Sequence, residues 1–358
     1  ERLSKTFFRA QISGKVTRLN VEEGETVIVG TMNHPGSLVL TINELSRVEA
    51  VLEVDETDIP YIALGDSTVL ELDAFPNQLF GGVVTEIGSD VTDVSTGDRV
   101  VVDPSLAGVD DSSRLSGMGD LHGDLGVIGA TVDGGYAERC LVPASHVYPV
   151  PDEMPLEHAA TFPTCFLTAS HALFRVGGLK AGETVMIHAA GSGIGVAAIQ
   201  LAFHAGATVL ATAGSEDKCQ RAFGLGASHV LNNRTGDVAA WARQTTAGVG
   251  VDMVMDCVGT ALFGVSLFSL GIEGRLVNCG NASGDEATIP SLGHLFHFGI
   301  SIHGSDPYQP EEFGPVWDEF CSGGYRVEID SVHGLSDAGV AQDKMLSGDF
   351  FGKILLVP

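Results

Sequence analysis

HAAGSGIGVAAIQLAFHAGATVLATAGSEDK, residues 188–218, sets a glycine-rich turn between apolar segments. The segment running into it, TVMIHAA (184–190), has the unbroken apolar character of a strand covered on both faces. GVAAIQLAFHAG (195–206) follows as a helix and TVLATA (208–213) as a second strand. In a βαβ unit, such a turn aims backbone N–H groups at a helix amino end toward a pyrophosphate. The strand–turn–helix context carries the weight, because three glycines alone are a weak signal. Read to end at Gly195, the fingerprint is Ala190-Gly191-Ser192-Gly193-Ile194-Gly195. Ala190 and Ser192 replace the first two glycines, and both are small enough for the turn and the close approach.

A site for NAD usually places Asp or Glu at the end of the second strand, on the ribose 2′-hydroxyl. That position here is Ala213, followed by Gly214-Ser215-Glu216-Asp217-Lys218. Without a carboxylate, nothing repels a 2′-phosphate, while Ser215 offers a hydrogen bond and Lys218 a positive charge. The pattern favours NADPH over NADH. Glu216 and Asp217 oppose that preference unless they point to solvent.

Working outward, strands and helices alternate. DKCQRAFGLG (217–226) reads as a helix, and HVLNN, VDMVMDCVG, GRLVNCG and SIHGS (301–305) as further apolar strands. This alternation predicts a parallel sheet with helices on both faces. Upstream, HAATFPTCFLTASHALFRVG (158–177) has a helical pattern. DRVVVDP and ERCLVPASHVYPVP read as strands around a Gly-, Ser- and Asp-rich loop, 105–126. The first ninety residues read as short strands split by Gly, Pro and Asp turns, as in a small barrel or sandwich. The closing GKILLVP reads as a strand returning to another domain.

The chain has 358 residues, 44% hydrophobic and 18% charged, a composition of an ordered globular protein. No apolar run approaches the roughly 18 residues that a membrane span needs. No signal peptide is visible, so a cytoplasmic location is expected. The chain opens on Glu1 rather than Met, which fits a trimmed or fragmentary start. Nineteen Lys and Arg face 46 Asp and Glu, a net charge of −27 that argues against a nucleic-acid partner. Such acidity fits a salty cytoplasm or simply an acidic surface. The six cysteines are widely spaced with no CxxC pair, as expected of buried free thiols in a reducing compartment.

GDRVVV, DGGYAERCLVPA, AATFPTCFLTA, GETVMIHAAGSGIGVAAIQLA, GVDMVMDCVG, GRLVNCG and FGKILLVP occur in an order and spacing that resemble the medium-chain dehydrogenase/reductase family. The resemblance is to its quinone oxidoreductase and enoyl reductase members and covers residues 91–358. It implies a doubly wound Rossmann domain, 161–305, and a mostly β, GroES-like catalytic domain, 91–160 with 306–358. It also implies that Thr168 approaches the cofactor, and that Gly191, Ser192, Gly193, Ile194 and Gly195 hold the pyrophosphate. Ser215, Lys218 and Arg234 then surround the 2′-phosphate, and Asn233 stands where many members stack a Tyr near the adenine. Cys279, Gly280 and Gly304 border the nicotinamide, and Lys353 reaches the cofactor. Cys279 and Lys353 have a purely structural reading as well.

Zinc-dependent members carry Gly-His-Glu ahead of the strand that here is GVVTEIG, where this chain has Asn77-Gln78-Leu79. No Cys precedes Cys140, and the 105–126 loop has none, so neither zinc site has its ligands. His122 with Asp120 and Asp124 reads as a solvated loop or a weak cation site.

Residues 10–88 resemble a different family, the periplasmic adaptor (membrane fusion protein) of efflux pumps. ISGKVTRLNVEEGETV is similar to half of its lipoyl-like domain, and LSRVEAVLEVDETDI…GDSTVLELDAFP to part of its β-barrel. The chain is therefore expected to be chimeric: a β segment over 1–90, a GroES-like domain left incomplete, and a whole nucleotide-binding domain. Two function classes are open. One is a zinc-free NADPH-dependent reductase of a small-molecule quinone, enone or related carbonyl, with which a homodimer is compatible. The other is an inactive cofactor-binding or adaptor-like structural protein. The proton donor is unknown. His171, Tyr136 and His188 are candidates, although a His within a strand or helix is more often a packed core residue.

Overall fold

The structure is a computed structural model. It describes four strands within residues 1–97 and, beyond them, residues 98–106, 126–130, 134–137, 140, 142, 144–306 and 308–358. The chain divides into two compact units, Glu1–Ser89 and Asp90–Pro358. In the first, β1 (Lys15–Leu19) pairs antiparallel with β2 (Leu40–Asn43), and β3 (Ser67–Glu71) with β4 (Leu79–Val83).

The second unit opens with β5 (Val100–Val102), which pairs antiparallel with β6 (Val147–Pro149). The predicted helical stretch 158–177 is three pieces: α1 (Leu156–Ala159), α2 (Cys165–Ser170) and a π-helical turn, His171–Val176. Pro163 and Thr164 make the break. Thr164 has φ 55° and ψ −54°, and the Cys165 N–H donates to the Pro163 carbonyl, which closes a γ-turn of the strained, positive-φ kind.

The rest alternates as expected. β7 (Thr184–Ile187), α3 (Gly193–His204), β8 (Thr208–Ala213), α4 (Glu216–Gly224), β9 (His229–Asn232), α5 (Val238–Thr245), β10 (Val251–Asp256), α6 (Thr260–Ser269), β11 (Leu270–Asn278), α7 (Leu292–Phe298) and β12 (Ser301–Gly304) come in order. Their strands form one six-stranded parallel sheet, ordered β12-β11-β10-β7-β8-β9. The order reverses beside β7, and that switch point is where such sheets open a crevice for ligands. β8 and β10 are buried almost end to end, because helices cover both faces. α3 is buried from Gly195 to Ala202, which explains its apolar, Ala-rich sequence.

α8 (Pro310–Cys321), β13 (Ile329–Gly334), α9 (Ala338–Ser347) and β14 (Lys353–Val357) complete the chain. β13 and β14 pair in parallel. Phe162, Phe313, Trp317 and Phe320 form an aromatic cluster between the α1–α2 region and α8, with ring centroids 4.9–5.3 Å from Phe162. The Trp317 Nε1–H donates to the Pro149 carbonyl at 3.1 Å, tying α8 to β6. Tyr308 and Asp103 are both buried, and the Tyr308 hydroxyl donates to Asp103 Oδ1 at 2.6 Å. Burial is the main force pushing both groups upward in pKa. No described helix is long and apolar enough to cross a membrane.

Candidate functional site

The turn between β7 and α3 lies at the carboxyl edge of the sheet, at the switch point. The Ala190 N–H donates to the Thr212 carbonyl at 2.9 Å and the Ser192 N–H to the Ala189 carbonyl at 2.8 Å. Ser192 caps α3 by accepting the Gly195 N–H at 3.0 Å. Among the described residues, the Gly193 and Ile194 N–H groups have no acceptor. They are the orphan donors that a helix start leaves for a ligand.

Two glycines here are required by close approach. A Cβ on Gly195 would stand 2.3 Å from the Ala189 carbonyl oxygen, so α3 reaches its strand only without a side chain. A Cβ on Gly193 would meet Cys165 Sγ at 2.7 Å and Lys353 Cδ at 2.9 Å. The turn, the start of α2 and the start of β14 thus meet at one point. Thr168 sits half-buried one turn further along α2.

At the end of β8, Ala213 is buried and Gly214 follows. The exposed Arg234 lays its guanidinium over Gly214, with Nε 3.1 Å from where a Cβ would stand. Arg234 forms no ion pair among the described residues. Ser215 caps α4 through the Lys218 N–H at 3.3 Å. Glu216 accepts from Asn232 Nδ2 at 3.1 Å, which turns its carboxylate aside. The Lys218 Nζ donates to the Gly348 carbonyl and lies 5.5 Å from the centre of the Phe350 ring.

The remaining expected residues line the carboxyl ends of β11 and β12. Cys279 follows β11, and its N–H donates to the Asp256 carbonyl at 2.9 Å. Burial pushes its thiol well up, with Cys257 and Asp256 adding to the shift. The Gly280 carbonyl accepts Asn278 Nδ2 at 2.9 Å, and Gly304 pairs with Asn278 at the sheet edge. A cavity of about 250 Å³ opens there, lined by Gly259, Thr260, Asn278, Asn281, His303 and Gly304.

The three candidate proton donors separate. His188 is fully buried, with Nδ1 2.8 Å from Thr212 Oγ1 and Nε2 3.0 Å from Ser266 Oγ. Burial lowers its pKa to about 4, against a smaller opposing pull from Asp256. It is a core residue. His171 is also buried, its Nδ1 2.8 Å from Glu312, which in turn pairs with Arg175. Tyr136 is exposed. No group of three or more His, Cys, Asp or Glu among the described residues is placed to hold a metal. Asp120, His122, Asp124, Asn77 and Gln78 lie outside the described residues.

Residues 47–152 match the alcohol dehydrogenase GroES-like domain and residues 193–322 the zinc-binding dehydrogenase family. The chain is 32% identical over 315 residues to an alcohol dehydrogenase of Geobacillus stearothermophilus, covering 87% of this chain and 91% of that protein. It is 32% identical to quinone oxidoreductase-like protein 2 of Bos taurus, over 60% of this chain and 54% of that one. It is 36% identical to the highly reducing polyketide synthase apmlA of Arthrinium phaeospermum, over 50% of this chain but only 8% of the synthase. Among solved structures, an NAD-dependent alcohol dehydrogenase superposes with a TM-score of 0.69 at 31% identity, covering 83% and 82% of the two chains. The 2-octenoyl-CoA carboxylase reductase CinF, in complex with NADP and 2-octenoyl-CoA, gives 0.64 at 29%, covering 73% and 63%. The chain belongs to the medium-chain dehydrogenase/reductase family.

The GroES-like match begins at residue 47 and so takes in residues 47–88, the stretch whose sequence pattern suggests an efflux adaptor; no comparison supports an adaptor there. Short strands between glycine turns give a pattern that many small β-domains share, so that resemblance has little to discriminate with.

Proposed function

We propose that the chain is an NADPH-dependent oxidoreductase that delivers hydride to a small-molecule quinone, enone or related carbonyl without zinc. One observation carries the cofactor choice: an exposed arginine guanidinium seated over Gly214, beside the acid-free end of β8. A guanidinium is the natural bidentate partner of a phosphate. The solved relatives include both an NAD-dependent enzyme and an NADP complex, so the preference has to rest on this chain's own residues. The close-packed turn, with its two uncommitted N–H groups, fits a dinucleotide pyrophosphate.

The bound nicotinamide would supply the hydride. The chain's own residues bind and orient. Gly193 and Ile194 donate to the pyrophosphate, Ser215 and Arg234 hold the 2′-phosphate, and Thr168, Cys279, Gly280 and Gly304 frame the nicotinamide side. His188 is committed to buried partners through both ring nitrogens, and His171 holds the half-buried Glu312 with Nδ1. The relatives' quinone oxidoreductase and polyketide synthase names support the acceptor class. A cytosolic setting and a homodimer go with this reading.

The alternative reading is a chain that binds cofactor without turnover. Titration with NADPH and NADH, followed by assays on quinones and enones, separates the two. Arg234→Ala should weaken NADPH by about tenfold or more and leave NADH nearly unchanged, since hydrogen bonds to charged groups are the strong ones. Equal losses for both nucleotides would remove the 2′-phosphate assignment, and tightly bound, activity-linked zinc would remove the metal-free one.

A further inference from the structure

We propose that Lys218 is a positioning residue, a tie that holds segment 348–353 down on the phosphate turn, and that it does not read the 2′-phosphate. The proposal deepens the dinucleotide reading and rests on it for its binding arm only.

The Lys218 side chain is flanked on both sides. Its Cδ lies 3.1 Å from where a Cβ on Gly191 would stand, so the alkyl stem runs across the turn itself. Its ammonium ends on the Gly348 carbonyl, 130 residues away in sequence, and over the Phe350 ring. Gly348 is the left-handed residue that ends α9, and such a residue leaves carbonyls of the last turn without helical partners. Lys218 donates to the carbonyl of Gly348 itself, just past the helix end.

Beyond Gly348 the chain grips the turn residue by residue. Phe351, 1% exposed, puts Cδ2 3.1 Å from the Cβ position of Gly191. The Gly352 N–H donates to the Gly191 carbonyl at 2.8 Å, and Ser192 bridges to Gly352 in parallel register. Lys353 then packs against Gly193. One helical turn after Lys218, Arg221 stacks its guanidinium 4.0 Å from the centre of the Phe351 ring and pairs with Glu328 at 2.7 Å. The Lys353 N–H returns to the Glu328 carbonyl at 2.9 Å. α4 therefore clamps the segment at two points, and the segment in turn braces the donors of the phosphate turn. Gly191 is small because a lysine stem and a phenylalanine ring occupy its space.

A phosphate-reading lysine would affect NADPH alone, whereas a tie affects any dinucleotide. Hydrogen exchange of the peptide covering 348–353, on full-length protein without nucleotide, should accelerate about tenfold in Lys218→Ala and return toward the parent rate in Lys218→Arg. Phe350→Ala should shift it the same way by less, and serves if Lys218→Ala does not fold. Dissociation constants for NADPH and NADH should rise by a common factor, about five- to tenfold, in Lys218→Ala, while Arg234→Ala moves NADPH alone. Unchanged exchange in both variants, or a loss confined to NADPH in Lys218→Ala, would overturn the proposal. If the parent binds neither nucleotide, the dinucleotide reading fails, and the exchange measurement alone decides whether the tie exists.

Discussion

The phosphate turn and the ribose edge lie at the ends of adjacent strands, yet they are built from different materials. The turn is backbone. Its hydrogen bonds run mainly between carbonyls and N–H groups at fixed spacing, and a Cβ on Gly195 would strike the Ala189 backbone while one on Gly193 would strike Cys165 and Lys353. The edge is side chain. Arg234 is exposed, and Ser215 and Asn232 use hydrogen bonds that water can replace. A backbone cradle cannot be tuned in small steps, because each added atom displaces a strand or a helix. A side-chain edge can. On the proposed reading, whether a dinucleotide binds is decided at the turn, and which dinucleotide at the edge.

The sharpest way to break this contrast is Gly195→Val. Its Cβ would stand 2.3 Å from a backbone oxygen with no soft neighbour to yield. Both nucleotides should be lost, and thermal or denaturant unfolding should show a destabilisation of about 3 kcal/mol or more. A folded variant that kept NADH and lost only NADPH would erase the distinction.

Acid should attack the turn's support next. His188 is held neutral by burial, with its pKa lowered from 6.5 to about 4. Below pH 6.5 the unfolded chain takes up a proton that the folded chain refuses, so stability falls as pH drops from about 6.5 toward 4. The loss should reach about 2–3 kcal/mol at the low end. His188→Asn should be less stable at neutral pH and show a flatter dependence across that window. An unchanged slope would place the acid sensitivity elsewhere.

The smallest effect belongs to the edge. Arg234 meets solvent, so its attraction for a phosphate is screened by salt. Raising ionic strength from about 0.05 M to 0.5 M should shrink the NADPH preference several-fold while NADH binding changes less. A preference indifferent to salt would mean that a buried contact, not Arg234, sets it.

Much of this is legible in the sequence because the relevant spacing is local. The strand–turn–helix around Gly193 and the apolar strands through Ser305 announce the sheet, and Ala213 announces the missing acid. The stretch 158–177 reads as one helical pattern, and neither its break at Pro163 nor the positive φ on Thr164 is drawn from it. The illegible parts join distant positions. Lys218 meets Gly348 across 130 residues and Tyr308 meets Asp103 across 205. No local pattern encodes either pair. Its distance from the strand end puts Lys218 at the ribose, but that distance fixes the Cα and not the direction of a four-carbon stem. The amino-terminal strands fail in the opposite way, with a pattern too common to distinguish two β-domains.

Trp317 has an optical consequence. The chain has only two tryptophans. Trp317 is buried, stacks within 5.7 Å of Phe320 and donates to Pro149, while Trp241 lies half-buried on α5, against the sheet's second core cluster. Each indole is a built-in lamp, one in the aromatic wall behind α2 and the other beneath the sheet. Neither forms part of the phosphate turn. A reduced nicotinamide absorbs where indole emits, so its arrival should dim both by energy transfer, while an oxidised one should leave them bright. The protein needs no added dye for the arrival or oxidation of a reduced nicotinamide to be followed by light.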